Sequence, residues 1–294
     1  MSIAQLTGVV LKNYNKFYYV QDSSLNIYEC KPRGKLKDFI LSGDRVMFTP
    51  LEDGRGLLES ILPRVNQLYR PKVANVDTVL IVMAHTKPAP DLMLLDRLLF
   101  LVAYSRMEAY IVLNKCDLPL DETVRKIQNY YGRHGFTLFN TSVTNRTGIE
   151  QLLQAIAGKV AVFAGPSGVG KSSLLNAMLD SALVKTGDLS EKVGRGKHTT
   201  RHVELFPLTN GAVMVDTPGF SSLDLPRLRR EELGDYYPDF QDYSTECRFG
   251  NCLHHREIEC GVKQAVRDRE IADFRYNNYI HILEEVIANE RCYR

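Results

Sequence analysis

Nine residues constrain this chain more than any others: GPSGVGKSS, residues 165 to 173, fits the pattern G-x-x-x-x-G-K-[ST]. Its setting matters as much as the match, because KVAVFA before it reads as a buried strand and SSLLNAML after it opens a helix. Glycines at 165, 168 and 170 permit backbone conformations and close approaches that bring amide N–H groups around phosphate oxygens. The helix N-terminus adds a favourable partial positive charge. Lys171 then reaches the β- and γ-phosphates of a nucleotide, and Ser172 is placed to ligate magnesium.

Two further motifs sharpen the reading. VMVDTPG, residues 213 to 219, is a strand ending in an acid followed by Pro and Gly. Asp216 is suited to hold magnesium through its hydration shell, and the Gly219 amide to meet the γ-phosphate. NKCD, residues 114 to 117, follows the apolar strand AYIVL and so lies at a carboxyl end, where open α/β sheets bind ligands. Asp117 can accept from both N1–H and the exocyclic amine of guanine, donors that adenine lacks there. An unpaired buried carboxylate costs several kcal/mol, so the acid filters against ATP. Asn114 is expected to brace the phosphate loop, and the stem of Lys115 to lie over the base. Ser142 in NTSVT is a weaker candidate for backing it.

The parts come in the order base reader, base backer, phosphate loop, magnesium switch, a rotation of the common GTPase order. Domain termini usually lie close together at the surface, so joining old ends and cutting elsewhere preserves every strand neighbour. GDLSEKVGRGKHTTRHVEL, residues 187 to 205, occupies the place of a first switch and is basic. Thr199 or Thr200 could supply a second magnesium-bound hydroxyl. Phe220 stands where Gln-type GTPases put the residue that orients water. Either intrinsic hydrolysis is slow or another group acts, and His198 is the nearest titratable candidate. The candidate nucleotide-binding set is Asn114, Lys115, Cys116, Asp117, Ser142, Gly165, Pro166, Ser167, Gly168, Val169, Gly170, Lys171, Ser172, Ser173, Thr199, Thr200, Asp216 and Gly219. Of these, Ser172, Thr200 and Asp216 form the magnesium set.

Around this core the pattern changes twice. Residues 3 to 62 contain five short β-rich runs with Asn, Gly and Pro punctuation, as in a small barrel. Its Tyr18, Tyr19, Tyr28, Lys31, Arg33 and Lys35 are groups suited to RNA. PRVNQLYRPK, with prolines at 63 and 71, reads as a linker. The tail contains ECRFGNCLHHREIEC, where Cys247, Cys252, His254 and Cys260 suit a closed tetrahedral zinc site and His255 is the alternative imidazole. Four protein ligands leave no position for an activated water, so that metal is structural. With 37 basic against 35 acidic residues, charge alone argues for no polyanionic partner. The N-terminus lacks a charged region followed by a long apolar run, which reads as cytosolic.

The chain resembles the ribosome-small-subunit-dependent GTPase A (RsgA) family of circularly permuted GTPases, on NKCD, GPSGVGKSS, GKHTT, DTPGF, the Cys-x4-Cys-x-His-x5-Cys cluster and the leading barrel closed by LPRVNQLYRP. The resemblance implies an OB-fold barrel (1–66), a permuted P-loop GTPase domain with a mostly parallel, helix-covered sheet (67–232) and a C-terminal zinc domain with helices (233–294). It further implies GTP hydrolysis to GDP stimulated by the small ribosomal subunit, late-stage assembly of that subunit, and rRNA binding. The expected cofactors are one structural Zn2+ and Mg2+ with GTP. The expected state is a cytoplasmic monomer with no membrane partner. Carried over, the family's proposed catalytic histidine falls on His198 and its zinc ligands on Cys247, Cys252, His254 and Cys260. A competing reading from the residues is an RNA-binding module whose hydrolysis is incidental, as Phe220 suggests.

Overall fold

The computed structural model describes residues 5–14, 16–34, 36, 40–69, 72–186, 204–216 and 224–292. The sequence-predicted β-rich runs form strands β1 (Leu6–Tyr14), β2 (Phe17–Asp22), β3 (Ile27–Pro32), β4 (Arg45–Pro50) and β5 (Arg55–Ile61), closed in the order β1-β2-β3-β5-β4. Closure leaves no unpaired edge, and the interior is filled by Val10, Tyr18, Val20, Cys30, Ile40, Val46, Phe48 and Leu58. Gly56 is required where it stands, since a Cβ there would lie 2.6 Å from the Cys30 sulfur.

The segment read as a linker is instead built into the fold. Gln67–Tyr69 (β6) and Lys72–Ala74 (β7) form an antiparallel hairpin. Arg64 donates Nε and Nη2 to the two oxygens of buried Asp44 at 2.6 and 2.8 Å. Asn75 donates Nδ2 to Gly43 O at 3.0 Å, and Ala74 N donates to Ser42 O at 2.9 Å. Asn66 exchanges two bonds with the Val76 backbone. Asparagine side chains therefore take up the backbone polar groups that a flexible connector leaves to water, and Arg64 adds an ion pair to the barrel.

The next layer is a six-stranded sheet in the order β10 (Thr137–Thr141), β9 (Glu108–Asn114), β8 (Thr78–Ala84), β11 (Val160–Ala164), β13 (Val213–Asp216), β12 (Glu204–Pro207). All neighbours run parallel except β12 with β13. Every residue of β8 and β11 is buried, as expected for strands covered on both faces. One face carries α1 (Leu92–Tyr104) and α2 (Glu122–Arg133), the other α3 (Ile149–Ala155) and α4 (Lys171–Thr186). The chain winds outward from β8 through β9 to β10, then returns to β11 on the other side of β8. The winding direction reverses between β8 and β11, which opens a crevice at their carboxyl ends.

The tail holds α5 (Pro238–Ser244), α6 (Gly261–Arg267) and α7 (Asp273–Cys292). Its apolar core includes Leu233, Tyr237, Phe240, Val262, Tyr279 and Ile282, together with Phe100 and Leu101 of α1. The fold is thus a barrel, a permuted P-loop sheet layered with helices, and a helical tail carrying a Cys/His cluster. Among the described residues no helix is long and apolar enough to cross a membrane.

Candidate nucleotide site and metal centre

The phosphate-loop residues leave β11 and enter α4 with Gly165, Gly168 and Gly170 all at positive φ (120°, 82° and 99°). At two of these space is decisive as well. A Cβ on Gly165 would lie 2.2 Å from Val82 O, and one on Gly170 2.5 Å from Asn114 Nδ2. Lys171 donates Nζ to Gly165 O and Pro166 O at 2.8 and 2.6 Å, and burial lowers its pKa below the ordinary lysine range. Val169 is buried, whereas Ser167, Ser172 and Ser173 are exposed at the loop and the first turn of α4. Leu174 N donates to Gly170 O at 2.9 Å, which starts the helix behind the loop.

The residues expected to read the base converge on this loop from 55 positions earlier in the chain. Asn114, 2% exposed, donates Nδ2 to Val169 O at 2.8 Å and accepts at Oδ1 from Thr141 Oγ1 at 3.0 Å. Lys115, in the left-handed region at φ 62°, donates Nζ to Gly168 O at 2.7 Å and to Lys87 O at 2.5 Å. Cys116 donates its backbone N–H to Thr141 O at 3.0 Å. Asp117 is exposed at the mouth and accepts at Oδ1 from the hydroxyl of fully buried Ser142. The Ser142 hydroxyl in turn accepts from Asn145 N at 3.1 Å. One carboxylate oxygen is thereby oriented by the protein, and the other remains available to a base edge.

Three contributors were not anticipated. Thr141 immediately precedes Ser142, so an adjacent hydroxyl was its only signal. The Lys87 carbonyl and Pro88, whose Cδ is 3.8 Å from where a Gly168 Cβ would be, carry no local signature at all. They reach the loop because β8 lies between β9 and β11. The backbone of Asp216 ends β13 opposite Glu204, but its side chain, like His198, Thr199, Thr200, Gly219 and Phe220, lies outside the described residues.

In the tail, single ligand atoms of Cys247, Cys252, His254 and Cys260 all fall within 4.8 Å of one another. His254 Nδ1 is 3.5 Å from the Cys247 sulfur and 3.4 Å from that of Cys260, and those two sulfurs are 3.8 Å apart. A tetrahedron with zinc–sulfur bonds of about 2.3 Å has edges of about 3.8 Å, so the spacing fits a zinc ion. Burial pushes the Cys252 thiol up to about 12 and lowers the His254 pKa, which favours neutral imidazole. Three thiolates packed this closely require a cation to neutralise them. Cys252 and Cys260 accept backbone N–H groups of His254 and Lys263, each at 3.4 Å, and Tyr276 and Tyr279 donate hydroxyls to the His254 and Leu253 carbonyls. His255 faces Glu284 instead, at 3.9 Å.

The barrel supplies a third surface, and register sorts its aromatics. Lys12 pairs with Tyr19 across β1 and β2, Tyr14 with Phe17, and Tyr19 with Glu29 across β2 and β3. Lys12 Nζ lies 5.4 Å from the Tyr19 ring centroid and Lys31 Nζ 4.9 Å from that of Phe17. Tyr14 is 63% exposed. Tyr18 belongs to the barrel core, Tyr28 packs on Phe48 with centroids 5.0 Å apart, and Arg33 pairs with Glu59 at 2.9 Å. Lys35 lies outside the described residues.

Comparison with known proteins agrees with the architecture. A family model described as RsgA GTPase matches residues 61–226, and one described as RsgA N-terminal domain matches residues 7–58. A small ribosomal subunit biogenesis GTPase RsgA from Carboxydothermus hydrogenoformans is 45% identical over 290 residues, covering 97% of this chain and 99% of that protein. One of the same name from Moorella thermoacetica is 44% identical over 291 residues, covering 98% of this chain and all of that protein. The crystal structure of YjeQ from Thermotoga maritima superimposes with a TM-score of 0.83 at 36% identity, covering 97% of this chain and 99% of that one. YloQ, a circularly permuted GTPase, gives 0.83 at 35% identity, covering 97% of this chain and 96% of that one.

Proposed function

The chain belongs to the RsgA GTPase family, and on that premise we propose that it hydrolyses GTP to GDP when stimulated by the small ribosomal subunit, as a late-stage assembly factor that binds rRNA in the cytoplasm as a monomer. The observation that carries the nucleotide half of this reading is the Asn114–Val169 hydrogen bond. It ties base reader to phosphate loop, as one guanine nucleotide spanning both requires. Asp117 grips the N1–H and amine edge, with Ser142 orienting the carboxylate. Lys115 covers the base while its ammonium steadies Gly168. The loop amides from Gly165 to Ser173, with Lys171, cradle the phosphates.

Ser172, Thr200 and Asp216 would hold Mg2+, which when bound neutralises charge developing on the β- and γ-phosphates. His198 is the group assigned to the hydrolytic water, and Gly219 the amide that senses the γ-phosphate. Cys247, Cys252, His254 and Cys260 would hold a structural zinc that fixes the loops of the tail. The barrel face bearing Lys12, Tyr14, Phe17, Tyr19 and Lys31 combines cations with aromatic planes, a pairing suited to single-stranded or splayed bases. Turnover of GTP by the full chain is measured with and without purified small subunits. Strong acceleration is expected, together with its loss in His198→Ala at near-normal GTP affinity. Equal turnover in both conditions overturns the proposal.

A further inference from the structure

Where the tail meets α1 and α2 lies a buried ionic cluster that the nucleotide chemistry does not use. Arg275, 2% exposed on α7, donates Nε and Nη2 to Asp239 of α5, each at 2.8 Å, and Nη1 to Asp96 of α1 at 2.6 Å. Asp96 also accepts from Asn278 Nδ2 at 2.6 Å and from the Tyr131 hydroxyl of α2. Tyr130, also of α2, donates to Asp239 at 2.7 Å. The guanidinium lies 4.4 Å from the Tyr237 ring centroid. One cation thus joins four helices, and its two carboxylate partners stand 143 residues apart in the chain (96 to 239).

An apolar filling of the same volume would stabilise such a junction as well or better, because desolvating buried ions offsets most of their mutual attraction. What an ionic cluster adds is geometry. A guanidinium with a two-pronged partner on one side and a single oxygen on the other admits one placement of each helix. Two of these four helices, α1 and α2, have lead-in segments that form the base-reading end, and the cluster meets α1 in its second turn and α2 in its last, through Tyr130 and Tyr131. The 85–91 segment before α1 offers Lys87 O to Lys115 and sets Pro88 against Gly168. N-K-C-D leads into α2, whose N-cap Asp121 accepts Thr123 N at 2.7 Å only four residues after Asp117. Asp96 is in the second turn of α1, close behind that lead-in.

We propose that Arg275 is a positioning residue for guanine recognition: it holds α1 and α2 at the spacing that lets Lys115 and Asp117 meet the base while Lys115 stays fastened to the phosphate loop. This rests on the nucleotide site proposed above. Loosening the cluster shifts the base-reading end and leaves the phosphate loop, held by β11 and α4, in place. GTP and GDP therefore weaken by the same factor. Discrimination by the Asp117 carboxylate between guanine and hypoxanthine, which lacks the exocyclic amine, narrows with them.

The test uses the full zinc-loaded chain with Arg275→Lys, Asn278→Ala and Tyr131→Phe, each checked for metal content and cooperative unfolding. Equilibrium binding of GTP, GDP and IDP is measured for each. Expected is an equal loss of about fivefold for GTP and GDP in at least one folded variant, with a smaller GDP-to-IDP preference. If Arg275→Lys does not fold, the two peripheral variants decide. Folded variants that bind all three nucleotides within twofold of the parent overturn the inference and leave the cluster a structural one. So does a variant that weakens GTP alone. A parent chain that binds ATP as well as GTP overturns the nucleotide-site reading itself, and this inference falls with it.

Discussion

The barrel and the helical tail are both appended to the same sheet, and they are held in opposite ways. The barrel closes on itself around an interior drawn from its own residues and meets the rest through a hairpin latch, an Arg45–Asp77 ion pair and one buried side chain, Leu11, set into the sheet's core. Its key ion pair, Arg64 with Asp44, keeps the guanidinium one-quarter exposed. The tail has no such independence. Its core takes in Phe100 and Leu101 of α1, and its key arginine is buried against carboxylates of two different regions. A latch can open without unfolding either side, whereas a shared core makes tail and sheet one cooperative unit.

Removing metal breaks this contrast most severely. Chelation is expected to unfold the loops carrying Cys247, Cys252, His254 and Cys260 and to expose the tail to protease, while residues 6–61 stay protected. Simultaneous loss of the barrel would erase the distinction. Next in size, Arg275→Met leaves Asp96 and Asp239 buried without a counter-charge and should cost about 3–5 kcal/mol in urea unfolding. Asp44→Ala should cost only about 2 kcal/mol, because Arg64 can turn to water while the Leu41 N–H has to find a new acceptor. Equal costs for the two would mean that the junctions are alike.

The smallest effect is that of acid. Burial alone would raise the Asp239 carboxyl, but Arg275 overrides it and holds it below the usual range. Its contribution is therefore complete above about pH 4 and lost as pH falls further. Burial raises Asp96, so protonating that group on acidification is favourable to the folded state and blunts the loss. A shallow decline of tyrosine near-UV circular dichroism below about pH 4 is expected. A steep collapse above pH 5 would contradict these signs.

Local chemistry made the candidate nucleotide site legible. A phosphate loop needs glycines at set positions and a lysine at a helix start, and those requirements show along nine consecutive residues. N-K-C-D was legible for the same reason. Thr141 and the Lys87 carbonyl were not, because a hydroxyl donating to Asn114 and a backbone oxygen accepting from Lys115 look like any other residue until strands align. The barrel aromatics show the limit most clearly. Tyr18 and Tyr19 are neighbours in sequence and lie on opposite faces, and only the established register separates core from platform. PRVNQLYRPK misled because Gln67–Tyr69 pairs with Lys72–Ala74 instead of running free as a connector.

From the linear chain alone came the element types, the rotated motif order and the four candidate metal ligands, since propensity, glycine conformation and ligand spacing act over a few residues. Tertiary structure alone decided that Asp96 meets Arg275 across 179 positions and that the tail shares its core with α1. Desolvation is the reason. A charge tolerates burial only where its partners are already fixed, and which partners arrive depends on how the whole sheet and its helices pack.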